Sequence, residues 1–109
     1  MTTARPTRAD LERLAAAAAL GVPGVAYLRP GLADLLRGAS AQRQRGSGGV
    51  RARAIGDPPT WRIEVHLGVV RGYRALDVTR AVRAAVEAAA TRAGAGRPAA
   101  VTVTVTGVV

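Results

Sequence analysis

The sequence predicts a single α+β domain, with a small antiparallel or mixed β-sheet of three to four strands and two main helices packed on one face. The chain has 109 residues, of which 49% are hydrophobic, so it is long enough for one compact domain and too apolar to be disordered. Apolar residues recur at helical spacing in two segments and alternate with polar residues in others. We assign the domain to residues 1–109, with residues 1–6 as a frayed leader and 38–49 as a flexible loop rich in Arg, Gly and Ser.

The first predicted helix begins after Thr7, an N-cap residue with Asp10 placed to complete a short capping box. An apolar stripe follows at the spacing of one helix face. Pro23 prevents the helix from continuing. The stripe consists of Leu11, Leu14, Ala15 and Ala18.

Residues 25–28 are predicted to be a short extended segment, and residues 32–37 one or two helical turns. Two strands follow, at residues 50–55 and 61–70, and the Gly, Asp and Pro residues between them form a turn. Antiparallel pairing of these two strands is the simplest arrangement.

A long helix is predicted from about residue 75 to residue 93. The last strand follows it, because valine alternates with threonine from Val101 to Thr106. The buried face of the helix is predicted to consist of Val78, Val82, Ala85, Val86 and Ala89.

Strand parity predicts how the sheet is covered. Trp61 shares one face of its strand with Ile63 and the other odd-numbered apolar residues, whereas Glu64 and His66 point to the opposite face. We therefore expect both helices to cover the apolar face. The other face is predicted to be polar, rich in Arg and Thr, and without an aromatic side chain.

Few residues in this chain are suited to catalysis. The single histidine, His66, lies mid-strand beside Glu64 with no Ser or Cys in its segment, and the chain contains no Cys and no Lys. These observations argue against thiol or Schiff-base chemistry, and one His with scattered acids argues against a metal site. We therefore predict a non-enzymatic protein with no catalytic residue, metal, cofactor or small-molecule substrate.

The charge of the chain is strongly positive, at +9, and favours anionic partners. Five arginines and no acid lie between Asp34 and Asp57, beside a formal GxxG at residues 46–49. A solvated basic loop is one interpretation; a small nucleic-acid-binding module and attachment to anionic lipid are alternatives. The candidate anion- or phosphate-binding residues are Arg43, Arg45, Arg51 and Arg53.

The alanine-rich run at residues 14–26 superficially resembles the core of a signal peptide. Asp10 and Glu12 interrupt its basic leader, and Pro23 cuts it short. No stretch approaches the roughly 18 apolar residues that span a bilayer. We therefore predict a cytoplasmic protein.

Five segments, at residues 14–28, 49–54, 61–73, 76–89 and 101–109, follow one another in an order and spacing that resemble the alkaline-shock (Gls-type) family of bacterial envelope-stress proteins. The resemblance covers about residues 8–109. It rests on the "vPGV" turn at residues 22–25, the "GV" at 49–50, an inverted tyrosine–glycine pair at 72–73, and a valine-alternating last strand with "GV" at 107–108. Members of that family usually open with a short strand, which residues 1–6 hardly supply, and many are acidic or balanced in charge, whereas this chain carries +9.

The resemblance implies a non-enzymatic cytoplasmic protein that takes part in the envelope stress response. It implies a self-associating scaffold, held peripherally at the inner face of the membrane by a membrane-anchored protein partner. A homo-oligomer is therefore expected. If the last strand lies at a sheet edge, its unpaired backbone can bind another chain, so the candidate self-association edge is Val101, Val103 and Val105.

Overall fold

The computed structural model describes residues 5–29 and 48–109. Within these ranges the fold is α+β, as the sequence predicts. The helical turns expected at 32–37 and most of the predicted loop at 38–49 lie outside the described residues. The elements are α1 (Arg8–Leu20), β1 (Val25–Leu28), β2 (Val50–Ile55), β3 (Thr60–Val69), α2 (Ala75–Arg92) and β4 (Ala100–Val108).

The long strand β3 is the centre of a mixed sheet. β4 pairs with it in parallel, whereas β1 and β2 both pair with it antiparallel. β1 and β2 follow one another along the same edge, because the His66 carbonyl accepts the Arg29 N–H (2.9 Å) while the His66 N–H donates to Gly49 (2.8 Å). The predicted hairpin of β2 and β3 is confirmed.

The start of α1 is held by the capping box that the sequence predicts. The Thr7 hydroxyl accepts the Asp10 N–H, and the Asp10 carboxylate accepts the Thr7 N–H, both at 3.1 Å. Hydrogen bonds to the Asp10 carboxylate lower its pKa: the one from the Thr7 backbone N–H contributes most, followed by those with the Thr7 side chain and with Arg13, whose Nη2 donates at 2.6 Å. The capping box therefore fixes the start of α1 at Arg8, directly after Thr7.

The buried face of α1 differs from the predicted stripe. Leu14 is 41% exposed, and Ala16 and Ala19 are buried in its place, beside Leu11 and Ala15. Because α1 is rich in alanine, the periodicity of its apolar residues does not determine which face of the helix is buried. The small side chains allow α1 to pack closely against α2 and β2.

The core lies between the two helices and one face of the sheet. Val78, Val82 and Val86 of α2 are buried, as predicted, against the odd-numbered residues of β3. No polar side chain is buried in the described part of the chain. Ile63, Val65, Leu67 and Val69 supply the sheet side of this core.

Gly24 joins α1 to β1 in a conformation that requires glycine. Its φ is +96°, and a Cβ there would lie 2.7 Å from the Tyr73 ring and 2.8 Å from a Val78 methyl. This close approach seats the start of α2 against the turn before β1.

Candidate functional site

The outer edge of β4 is defined by the hydrogen bonds on its inner side. The Trp61 carbonyl accepts the Ala99 N–H (2.8 Å) and the Val69 carbonyl accepts the Val109 N–H (2.9 Å), so the odd-numbered residues of β3 direct their peptide groups toward β4. In a parallel pair, a residue whose peptide groups point toward the neighbouring strand bonds to the residues before and after its register partner. The N–H and C=O groups of the register partner itself point away from the pair. The partners of Ile63, Val65 and Leu67 are Val101, Val103 and Val105.

Val101, Val103 and Val105 therefore present their N–H and C=O groups at the outer edge of the sheet. Their side chains pack on the core face. Among the described residues no strand pairs with this edge. Arg83 of α2 donates from Nε to the outward carbonyl of Val101 at 3.2 Å. Among the described residues, no side chain bonds to the outward peptide groups of Val103 and Val105.

The opposite edge of the sheet is protected at the middle of β2. Glu12 of α1 accepts the outward N–H of Ala52, at the middle of β2, at 3.0 Å. β2 also carries Arg51 and Arg53, whereas residues 100–109 contain no charged residue and no proline. Charges and covering contacts are the usual means by which proteins protect sheet edges, and among the described residues the edge at Val103 and Val105 has neither.

The four predicted anion-binding arginines do not form one described site. Arg43 and Arg45 lie outside the described residues. Arg51 and Arg53 lie on β2, where Arg53 pairs directly across the ladder with Arg62 of β3. Sequence reasoning did not select Arg62, although counting back from the hairpin turn identifies it as the cross-strand partner.

The expectation of a polar face without aromatic side chains is wrong. Tyr27 lies on that face, opposite Gly68 in the ladder, and a Cβ on Gly68 would overlap its ring. A Cβ on Gly107 would lie 2.9 Å from the Tyr27 hydroxyl oxygen. The ring therefore extends from β1 across β3 toward β4, over two glycines.

The acids and the histidine of the described chain form no catalytic or metal-binding cluster. His66 Nε2 lies 3.9 Å from Glu64 Oε1 on the open face, and their side chains are 22% and 39% exposed. Within the described residues no three His, Cys, Asp or Glu side chains are grouped to hold a metal ion.

One cavity of about 300 Å³ lies at the hairpin end of the sheet, beside Trp61 and the two prolines of the turn. Arg5 supplies the one charged side chain among the described residues that line it. The described residues of the lining supply no hydroxyl, carboxylate or imidazole, the side-chain groups that acid–base and nucleophilic catalysis most often use.

No helix in the described part of the chain is long and apolar enough to cross a membrane. Comparisons with models of known protein families, with curated proteins and with solved structures find no match to this chain. The resemblance to the alkaline-shock family stays a prediction from the sequence motifs.

Proposed function

We propose that this protein is a non-enzymatic scaffold that associates with copies of itself through the outer edge of β4. The observation that carries the proposal is the contrast between the two sheet edges. Glu12 covers an N–H at the middle of β2, whereas Val103 and Val105 of β4 have outward peptide groups and no pairing strand among the described residues. Backbone pairing along such an edge provides affinity without requiring a shaped pocket.

Antiparallel pairing of two β4 strands about a twofold axis satisfies the open peptide groups of both copies. The interface is then the same on both subunits and closes on itself. Threonine side chains of the two strands meet on the open face, and valine side chains meet on the core face. Such cross-strand contacts between β-branched residues add to the backbone hydrogen bonds.

The setting of the scaffold follows from the family resemblance. We place the protein at the cytoplasmic face of the bacterial membrane, bound to a membrane-anchored partner during the envelope stress response. Self-association has a clear use there, because several linked copies hold a membrane partner more tightly than one copy does. The alternative, a nucleic-acid-binding module using the Arg-rich loop, retains Arg51 and Arg53 as its described residues.

Sedimentation velocity across micromolar concentrations tests the self-association. We expect a dimer or larger species for the wild type and a monomer for Val103→Pro, which removes an outward N–H and no bond to β3. Val103→Ala, which keeps the N–H, and Ala54→Pro, which removes an outward N–H from β2, are the matched controls and should still associate. A wild type that stays monomeric, or equal loss in all three variants, contradicts the proposal.

A further inference from the structure

We propose that the open face of the sheet carries a binding site for single-stranded nucleic acid, in which Arg53 and Arg62 contact phosphate and Tyr27 stacks on a base. This site is independent of the proposed self-association, since it uses the face of the sheet and not its β4 edge. It also differs from the Arg-rich loop, because it is complete without Arg43 and Arg45.

The phosphate-binding part of the site is a pair of like charges. Arg53 and Arg62 are direct partners across the antiparallel ladder, and both are exposed. Their Cα atoms are therefore about 5.5 Å apart, as in any hydrogen-bonded antiparallel pair. Like charges placed directly opposite destabilise a sheet.

No carboxylate of the described residues offsets that repulsion by pairing with either guanidinium. Two adjacent guanidinium groups that lack a carboxylate partner can grip one phosphate with parallel N–H donors, and an arginine fork matches phosphate geometry. An anion bound between them removes the repulsion, so the pair is better suited to a complex than to the free protein.

The charges along the rest of the face balance. Glu64 is the one acid in the four strands of the sheet, and it has His66 on one side and Arg51 as its cross-strand partner. The neutral hydroxyls of Thr102 and Thr104 line the neighbouring strand, in register with Glu64 and His66. The excess positive charge of the face is therefore concentrated at Arg53 and Arg62, which attract an anionic group to that end.

The second part of the site is the Tyr27 ring, at the other end of the face. Gly68 and Gly107 leave room for the ring to lie on the sheet, with one side against their backbone. The outer side of a ring held in this way is a platform on which a base can stack. Stacking on aromatic side chains is how open sheets bind unpaired bases.

The spacing of the two parts favours a single strand over a duplex. Arg62 and Gly68 are six residues apart on β3, which corresponds to about 20 Å. A flat sheet does not enter a duplex groove in the way that a helix or a β-ribbon does, and the bases of a duplex are not free to stack on a protein ring. A single strand can contact phosphate-binding arginines and an aromatic platform together.

Fluorescence anisotropy with a labelled oligothymidine of about twelve nucleotides tests this site. We expect log K to fall linearly with log salt, and Arg53→Gln/Arg62→Gln to reduce the slope by roughly 0.7, the value for the one single-strand phosphate that the pair binds. The matched control is Arg80→Gln/Arg92→Gln, which removes the same charge from exposed positions on α2, on the covered side of the sheet. This control should keep the wild-type slope.

Tyr27 supplies the second measurement. We expect Tyr27→Leu to weaken binding about ten-fold and Tyr27→Phe, which keeps the ring, to retain wild-type affinity. Circular dichroism and urea unfolding of both variants separate loss of binding from loss of fold, and Arg53→Gln/Arg62→Gln tests the site without touching the Tyr27 packing.

Three results overturn the proposal. One is a wild type that does not bind the oligonucleotide at low salt. Another is an equal reduction of the salt-dependence slope in Arg53→Gln/Arg62→Gln and Arg80→Gln/Arg92→Gln, which indicates that the oligonucleotide responds to the net charge of the protein and not to this face. The third is binding to phosphatidylserine vesicles, but not to the oligonucleotide, that depends on Arg53 and Arg62, which assigns the face to lipid.

Discussion

Replacing Glu12 with alanine should destabilise the protein and expose the second edge of its sheet. Glu12 Oε2 accepts the Ala52 N–H at 3.0 Å, in a partly buried position. A hydrogen bond to a charged group contributes about 1.5–3 kcal/mol, and we expect about 2 kcal/mol because the carboxylate is partly solvated. Alanine is also the best helix former, so the loss does not come from α1 itself.

Urea unfolding followed by circular dichroism measures this change. With an m-value of about 1.5 kcal/mol/M, a loss of about 2 kcal/mol lowers the midpoint by roughly 1.3 M. Glu12→Gln keeps a neutral acceptor and should lose about 1 kcal/mol or less. The matched control is Glu87→Ala on α2, whose side chain forms no hydrogen bond or ion pair with other described residues; its stability should change by less than about 0.5 kcal/mol.

Amide hydrogen exchange links this loss to the edge itself. In Glu12→Ala the Ala52 amide should exchange faster relative to the neighbouring β2 amides that bond to β3. If Glu12→Ala matches Glu87→Ala in stability and the Ala52 amide exchanges at its wild-type rate, the carboxylate does not protect this edge.

Two further predictions follow from local geometry. Because folding lowers the pKa of Asp10 below 3.8, its carboxylate contributes stability that is present above pH 3.8 and is lost as the pH falls through the folded-state pKa. Urea-unfolding curves of the wild type and Asp10→Asn should therefore differ at neutral pH and converge in strong acid. The free energy of unfolding of Gly24→Ala should be about 1–3 kcal/mol lower than that of Gly72→Ala. Both glycines have positive φ, but only a methyl group at position 24 would meet Tyr73. Equal losses of stability in urea unfolding would show that φ strain alone causes the effect.

Elements set by local interactions were predictable from the sequence. The Thr7–Asp10 capping box begins α1 where the residue pattern places it. The β2–β3 hairpin follows from its turn residues, and the alternation of Val with Thr predicts β4. In each case a short stretch of chain contains all the residues that decide the structure.

Features set by packing between distant segments were not predictable in the same way. The buried side of α1 is chosen by its contact with α2, because its many alanines give periodicity little to distinguish. Tyr27 reaches the open face because the β1–β3 register shifts between Val25 and Tyr27, and because glycines at 68 and 107 leave space for the ring. The Arg53–Arg62 pair, by contrast, follows from the register of the β2–β3 hairpin and could have been found by counting back from its turn.

The most direct test of the account is amide hydrogen exchange of the wild type at concentrations below and above its association range. Val103 and Val105 have outward N–H groups, and a second copy of β4 would bond to them. We predict that protection of these two amides rises with protein concentration, while that of Ala52, already bonded to Glu12, stays constant. Concentration-dependent protection elsewhere with none at Val103 and Val105, or exchange that does not change with concentration, would contradict self-association through β4.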